Sequence, residues 1–121
     1  IGMRRVERLS LSGPKGGVAF HIHLNVALNI VFAGRKRWFM FHGDDEQMPG
    51  STKEWQLTTH EWLKQVYPKP GFQSAWHKRA YECTQHPGET MLVPGLFVHA
   101  IYNLDETLAF IFQGIVGGEK P

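Results

Sequence analysis

Short apolar runs separated by turn residues predict a fold built from β-strands. The runs are rich in β-branched and aromatic residues. They lie at residues 5–11, 18–24, 28–32, 36–41, 81–84, 90–93, 97–103 and 108–115. Glycine, proline and small polar residues separate the runs, and these residue types favour turns. About eight short strands of this kind are typical of a small antiparallel barrel or sandwich.

Residues 43–79 interrupt the strand pattern and are predicted to form an insertion between two strands. The segment begins with acidic and turn-rich residues, and a short helix fits residues 59–66. Thr58 with Glu61 three residues later forms the pattern of a capping box, and the prolines that follow end the helix. The insertion is too short for a core of its own, so we expect residues 1–121 to form a single domain.

Composition and charge argue against several classes of protein. The chain has 121 residues, of which 42% are hydrophobic and 20% are charged, and these fractions are typical of a globular domain. Its formal net charge of +2 gives no electrostatic reason to expect binding to nucleic acid or to an anionic membrane. No apolar run is long enough to span a bilayer.

Cys83 is the single cysteine, so an internal disulfide framework and a multi-cysteine zinc site are excluded. Its place in a predicted strand indicates a buried and unreactive thiol. The sequence begins with Ile1 rather than methionine, which is compatible with a fragment of a longer chain. The compartment in which the protein works is therefore left open.

Three histidines form the candidate chemical site. His21 and His23 are two residues apart on a predicted strand, so their side chains lie on the same face. Burying two imidazoles without partners is costly, and a metal ion would satisfy both. His99 lies on a late strand and can meet this pair inside a barrel, where three imidazoles would leave coordination positions open. The alternative is that all three are ordinary strand histidines.

Four sequence blocks in series resemble the Jumonji-C (JmjC) domain family of the cupin superfamily. They are G-G-V-A-F-H-I-H at residues 16–23, G-R-K-R-W-F-M-F at residues 34–41, P-G-E-T-M-L-V-P-G at residues 87–95 followed by His99, and N-L-D-E-T at residues 103–107. The similarity extends from about residue 9 to residue 113. It implies an all-β domain with one short helical insertion, folded as a double-stranded β-helix, also called a jelly-roll barrel.

The resemblance also implies a function and residues that carry it. Many members are Fe(II)- and 2-oxoglutarate-dependent oxygenases that hydroxylate protein side chains or demethylate lysine. By position, His21 and His99 match the two histidine ligands of the metal. Lys36 matches the basic residue that receives the distal carboxylate of 2-oxoglutarate, and a lysine deep in a barrel needs an anion beside it. Asn29 matches an amide that contacts the same cosubstrate in several members.

Two positions depart from the pattern of the family. The family has H-x-D/E where this chain has His21 and His23, so one negative charge is lost from the metal site. Some members carry H-x-H, together with G-R-K-R-W-F and a similar helical insertion, and the chain resembles that branch. Val18 stands where many members have a threonine whose hydroxyl helps to hold 2-oxoglutarate, and valine cannot form that hydrogen bond.

Three functions follow as hypotheses. In the first, His21, His23 and His99 bind iron, Lys36 and Asn29 hold 2-oxoglutarate, and a protein side chain is hydroxylated. In the second, the barrel is catalytically inactive and serves as a scaffold or as a subunit of a larger assembly, with its aromatic-rich insertion as the contact surface. In the third, the histidines bind zinc or another metal without 2-oxoglutarate. The expected partner is a protein, and neither nucleic acid binding nor membrane insertion is expected.

Overall fold

The predicted strands form two antiparallel four-stranded sheets. The computed structural model describes the backbone of residues 2–117 and the side chains of residues 7–114. The strands are β1 (Gly2–Ser12), β2 (Gly17–Ile22), β3 (Ala27–Ala33), β4 (Lys36–His42), β5 (Tyr81–Gln85), β6 (Thr90–Val93), β7 (Phe97–Asn103) and β8 (Thr107–Gly117). The first sheet has the order β1-β8-β3-β6, and the second has the order β2-β7-β4-β5.

Strand pairing follows a nested pattern. The first strand pairs with the last, β2 with β7, β3 with β6, and β4 with β5. Successive strands therefore alternate between the sheets everywhere except at the innermost pair. This is the arrangement of a jelly roll, and the predicted fold class is confirmed.

Strand β4 is apolar on both faces because both faces are covered. Trp38 and Met40 face the space between the sheets, where they pack with Val93 of β6 and Ile101 of β7. Phe39 points to the opposite face and belongs to a second cluster. The run of apolar residues in β4 is typical of a strand that is buried on both sides.

The segment between β4 and β5 packs aromatic side chains against the outer face of the second sheet. It contains a 3-10 helix (Thr52–Gln56), helix α1 (Thr59–Gln65) and helix α2 (Phe72–His77). Trp62 of α1 and Trp76 of α2 are buried in the same cluster as Phe39. None of the helices in the described part of the chain is long and apolar enough to cross a membrane.

The predicted capping box at the start of α1 is confirmed. The Thr58 hydroxyl accepts the backbone N–H of Glu61, and the Glu61 carboxylate accepts the backbone N–H of Thr58. Helix α2 was not predicted, because its six residues follow Pro70 and Gly71 and carry no comparable capping signal. Its position is fixed instead by the burial of Trp76.

The prediction of a buried cysteine is wrong. Cys83 is exposed because β5 is the outermost strand of its sheet. Partial burial of the thiol, together with the nearby Glu89 carboxylate, nevertheless raises the pKa of Cys83. A raised pKa leaves less of the reactive thiolate, which agrees with the expectation of an unreactive side chain.

The carboxylate of Glu82 ties the helical segment to β5. Its Oε2 accepts hydrogen bonds from the Tyr67 hydroxyl and from Trp76 Nε1, both at 2.7 Å, and its Oε1 accepts from Arg37 at 2.5 Å. Burial of Glu82 opposes its ionisation, but the hydrogen bonds outweigh burial and hold its pKa below the usual range. Burial of the Tyr67 hydroxyl, together with its hydrogen bond to the Glu82 carboxylate, raises the pKa of Tyr67 to about 12.

We expect Glu82→Gln to lower the free energy of unfolding by about 2 kcal/mol, since hydrogen bonds to a charged group each contribute roughly 1.5–3 kcal/mol. Urea unfolding measures the loss, with Glu106→Gln on an exposed turn as the control. Because the folded-state pKa of Glu82 is lowered, its stabilising contribution is present above the unfolded pKa and is lost as the pH falls through the folded pKa. The difference between wild type and variant should therefore shrink in acid, and a pH-independent difference would contradict this account.

Candidate metal centre

Three histidines meet at one point between strands β2 and β7. His21 lies directly opposite His99 in the register of the two strands, and their ring centroids are 4.1 Å apart. His23 follows β2 and lies on the same face as His21. The nearest nitrogens of the three rings all lie within 4.8 Å of one another. The structure therefore brings together the three residues that the sequence singles out as metal ligands.

A shift in register of β2 places His21 on the interior face. Val18 pairs with Ile101 and His21 pairs with His99, so three residues of β2 span the distance that two residues of β7 cover. One extra residue of this kind is a β-bulge. As a result, Val18 and His21 both face the interior although they are three residues apart, while Phe20 faces the outer cluster.

Backbone carbonyls fix the orientation of two of the rings. Nδ1 of His21 donates to the Ala19 carbonyl at 2.7 Å, and Nδ1 of His99 donates to the Phe97 carbonyl at 3.0 Å. The Nε2 atoms of both neutral rings therefore carry the lone pairs, and that of His21 faces Nε2 of His23 at 3.1 Å. Burial lowers the pKa of His99 to about 4, so its ring is neutral at neutral pH. A neutral imidazole is the form that binds a metal ion.

Gln113 of β8 is a further residue of the site, and no local pattern in the sequence marks it. Its amide nitrogen Nε2 lies 3.0 Å from Nδ1 of His23, whose Nε2 lies 3.1 Å from Nε2 of His21. A glutamine can present either its oxygen or its NH₂ group to a ring nitrogen. In the structure, Nε2 of Gln113 donates to Nδ1 of His23, and Nε2 of His23 donates in turn to Nε2 of His21. Turning the amide so that its oxygen accepts from Nδ1 frees Nε2 of His23 for a metal.

A cavity of about 250 Å³ adjoins the three histidines. Arg8, Asn29, Val18 and Trp38 are among its lining residues, and none of the described lining residues is Asp or Glu. Oδ1 of Asn29 is buried and has no hydrogen-bond partner in the described part of the chain. An unpaired buried polar atom is costly, so the amide of Asn29 is available to a ligand.

Lys36 lies in the same barrel but at another level. It is 4% exposed, and burial lowers its pKa. Its Nζ donates a hydrogen bond to Oδ1 of Asn103 at 3.1 Å. In the register of β4 and β7, Lys36 pairs with Asn103 and Met40 pairs with His99. Lys36 is therefore four residues along β4 from the histidine level, with Trp38 between, and it does not line the cavity.

The family of the chain follows from comparison with known proteins. The model of the family described as "JmjC domain, hydroxylase" matches residues 17–113. The chain belongs to the JmjC domain family. The matched segment contains the three histidines, Asn29 and Lys36, and the resemblance seen in the sequence is confirmed.

Individual JmjC proteins are similar over most of this chain. JmjC domain-containing protein 8 of Mus musculus is 33% identical over 110 residues, which cover 89% of this chain and 37% of that protein. The 2-oxoglutarate and iron-dependent oxygenase JMJD4 of Mus musculus is 29% identical over 121 residues, which cover 94% of this chain and 27% of that protein. The chain thus spans little more than a third of the length of the first of these JmjC relatives.

A solved structure shares the fold. YcfD, a ribosomal oxygenase from Escherichia coli determined in complex with cobalt and succinic acid, matches with a TM-score of 0.57 and 20% sequence identity. The match covers 93% of this chain and 23% of the YcfD chain. YcfD thus shares the fold, and a relative in sequence, JMJD4, is named for its dependence on 2-oxoglutarate and iron.

Proposed function

We propose that this JmjC domain binds Fe(II) through His21, His23 and His99 and acts as a 2-oxoglutarate-dependent oxygenase on a protein side chain. The observation that carries the proposal is the convergence of three ring nitrogens beside a cavity with an unpaired amide. Bound Fe(II) and 2-oxoglutarate would supply the activation of dioxygen. The residues of this chain would hold the metal, orient the cosubstrate and shield the site from water.

The donor set fits a divalent metal such as iron or zinc. Imidazole is a good ligand for both ions, and three imidazoles leave coordination positions open. The hydrogen bonds to the carbonyls of Ala19 and Phe97 orient the rings before a metal arrives. Because His23 stands in place of a carboxylate, the metal would keep its full +2 charge, which strengthens its attraction for an anionic ligand.

The surroundings of the metal centre favour a dicarboxylate as that ligand. Arg8 contributes positive charge to the cavity wall, and no carboxylate among the described lining residues opposes it. A lysine ammonium has three donors, and among the described residues Nζ of Lys36 has one hydrogen-bond partner, the neutral amide of Asn103. Two donors are therefore left for a carboxylate. The buried Oδ1 of Asn29 has no partner in the described part of the chain and can only accept a hydrogen bond, so Asn29 serves a carboxylate with its amide turned to present the NH₂ group.

Turnover of 2-oxoglutarate by the iron-loaded chain tests the proposal. The purified protein is reconstituted with Fe(II) under nitrogen, and consumption of 2-oxoglutarate is followed after oxygen is admitted. We expect slow consumption without a protein substrate and faster consumption with a substrate peptide. The His99→Ala variant is the control, and equal consumption by both proteins would refute the proposal.

A second candidate is a metal centre that does not use 2-oxoglutarate. It is favoured by the position of Lys36, which does not line the cavity, and by Val18, which lines it without a hydroxyl. Binding of 2-oxoglutarate to the metal-loaded protein distinguishes the two candidates. The scaffold hypothesis requires an accessible aromatic surface on the insertion: Trp62 and Trp76 are buried, at 2% and 1% exposed, and Trp55 and Phe72 are half-buried.

Removal of the hydrogen bond to His23 should weaken metal binding. We expect Gln113→Leu to reduce the affinity for Fe(II) or Zn²⁺ roughly 10- to 100-fold, the usual effect of losing a partner that orients a histidine ligand. Competition with a chromogenic chelator measures the affinity. Gln65→Leu, on an exposed position of α1, is the matched control. Unchanged affinity in Gln113→Leu would show that His23 is oriented by other contacts.

A further inference from the structure

A second cavity lies outside the barrel, between the second sheet and the helical segment. Its volume is about 200 Å³. Phe20 lines it from β2, and the next residue, His21, faces the metal centre on the other side of the sheet. Exposed residues at positions 50–52 form part of its wall, so the cavity reaches the surface. Six aromatic side chains border it: Phe20, Trp62 and Trp76 are buried at its base, and Phe41, Trp55 and Phe72 are half-buried.

The polar residues of this aromatic cavity carry negative charge. Asp45 and Glu54 line it, and none of the described lining residues is Lys, Arg or His. Asp45 is paired with Arg79 at 2.6 Å, so its charge is compensated. Glu54 has no ion pair in the described part of the chain, and its Oε1 accepts only a long hydrogen bond of 3.4 Å from the Ser51 backbone N–H. One uncompensated carboxylate thus stands beside the aromatic rings.

A glycine allows this carboxylate to approach the rings. A Cβ atom added at Gly50 would lie 2.6 Å from Oε1 of Glu54 and 3.5 Å from Cε2 of Phe72. The φ angle of Gly50 is +102°, which a residue with a side chain rarely adopts. The Glu54 carboxylate and the Phe72 ring therefore both lie beside the space that a side chain at position 50 would fill.

An aromatic cavity with a carboxylate selects a particular kind of cation. Aromatic faces attract cations, and methylated ammonium groups are bound in this way. A plain lysine ammonium is strongly hydrated, so its transfer into an apolar cavity is costly, whereas methylation weakens that hydration. A trimethylated ammonium with its adjoining methylene has a volume of roughly 150 Å³ if each heavy atom takes the share of one water molecule. The cavity of about 200 Å³ can hold it.

We propose that the aromatic cavity binds the methylated ammonium group of a lysine side chain from a partner protein. The cavity is smaller than the roughly 300–1,000 Å³ of sites for drug-sized ligands, which suits the end of a side chain. The carboxylate of Glu54 supplies the opposite charge, and the open wall at residues 50–52 admits the stem of the side chain. This binding does not depend on the metal centre, because the two cavities share no lining residue.

Calorimetric titration in the presence of a metal chelator tests the proposal. The probe is N-acetyl-trimethyllysine amide, and the comparison is its neutral isostere, in which carbon replaces the ammonium nitrogen. We expect the cation to bind about tenfold more tightly, a difference of about 1.4 kcal/mol, because the aromatic faces and the Glu54 carboxylate both attract positive charge. Tetramethylammonium, which lacks the stem, should bind more weakly than the trimethyllysine probe.

Two variants separate charge recognition from folding. Glu54→Gln removes the charge but keeps a side chain that can cap the 3-10 helix, and it should reduce the preference for the cation over the isostere, with the part due to the aromatic rings remaining. Glu106→Gln on an exposed turn is the matched control and should leave the preference intact. Equal binding of cation and isostere to the wild type, or no binding of either, would overturn the proposal. Tetramethylammonium binding as tightly as the trimethyllysine probe would overturn the assignment to a side chain.

Discussion

The His99→Ala variant is expected to lose tight metal binding while the wild type retains about one equivalent of metal. His99 is the most deeply buried of the three histidines, at 3% exposed, and its Nδ1 is held by the Phe97 carbonyl. Loss of the His99 imidazole should reduce the affinity for the metal by more than about 100-fold. Losing a residue that only orients a metal ligand already reduces the affinity by up to about 100-fold. Mass spectrometry of protein purified without added metal or chelator measures the metal content.

His86→Ala is the matched control, because His86 lies on an exposed turn. It should retain the metal content of the wild type. Thermal unfolding of each metal-free protein separates loss of the ligand from loss of the fold. If His99→Ala and the wild type carry equal amounts of metal, even after reconstitution with Fe(II), the three-histidine site is not a metal centre.

Lys36→Met is expected to abolish 2-oxoglutarate binding without removing the metal. Truncating one partner of a buried charge pair costs about 2–5 kcal/mol, or roughly a 30- to several-thousandfold loss of affinity. Methionine fills a similar volume but leaves Oδ1 of Asn103 without its donor, which should lower the free energy of unfolding by about 1–3 kcal/mol. Lys64→Met, on the exposed face of α1, is the control. Titration of the zinc-loaded protein with 2-oxoglutarate measures the affinity.

The proposed contact between Lys36 and 2-oxoglutarate should make the affinity for 2-oxoglutarate depend on pH. Burial lowers the pKa of Lys36, and only the protonated ammonium attracts a carboxylate. The affinity of the wild type for 2-oxoglutarate should therefore fall as the pH rises through the lowered pKa, and the variant should lack this step. If Lys36→Met binds 2-oxoglutarate as tightly as the wild type, Lys36 is not the anchor and the second candidate function gains support.

Local patterns predicted the strands and the first helix because such patterns act within one element, whereas the jelly-roll arrangement was implied by the resemblance to the JmjC family. Alternation and turn residues located the strands, and Thr58 with Glu61 located the start of α1. The side chains of Lys36 and Arg35 lie on opposite faces of the chain, buried and exposed respectively, as strand geometry requires. The spacing of His21 and His23 likewise predicted that they share a face.

Features that depend on tertiary contact could not be predicted in this way. Helix α2 forms because Trp76 packs into the cluster that contains Phe39, on the outer face of the second sheet. No local signal in the sequence marks this helix. Gln113 reaches His23 from a strand that follows it by 90 positions. The exposure of Cys83 depends on β5 being an edge strand. The bulge in β2 changes which residues face inward, and the residue types in β2 do not indicate a bulge.

The nested pairing of the strands has a consequence for folding kinetics. Strand β1 pairs with β8 along its whole length, so the first sheet cannot close until the last strand has been synthesised. Contacts between distant segments slow folding, and a ribosome adds only about 5–20 residues per second. Strands β1 and β2 must therefore wait for seconds with unpaired edges during translation. The domain should depend on chaperones more than a helical protein of equal length does.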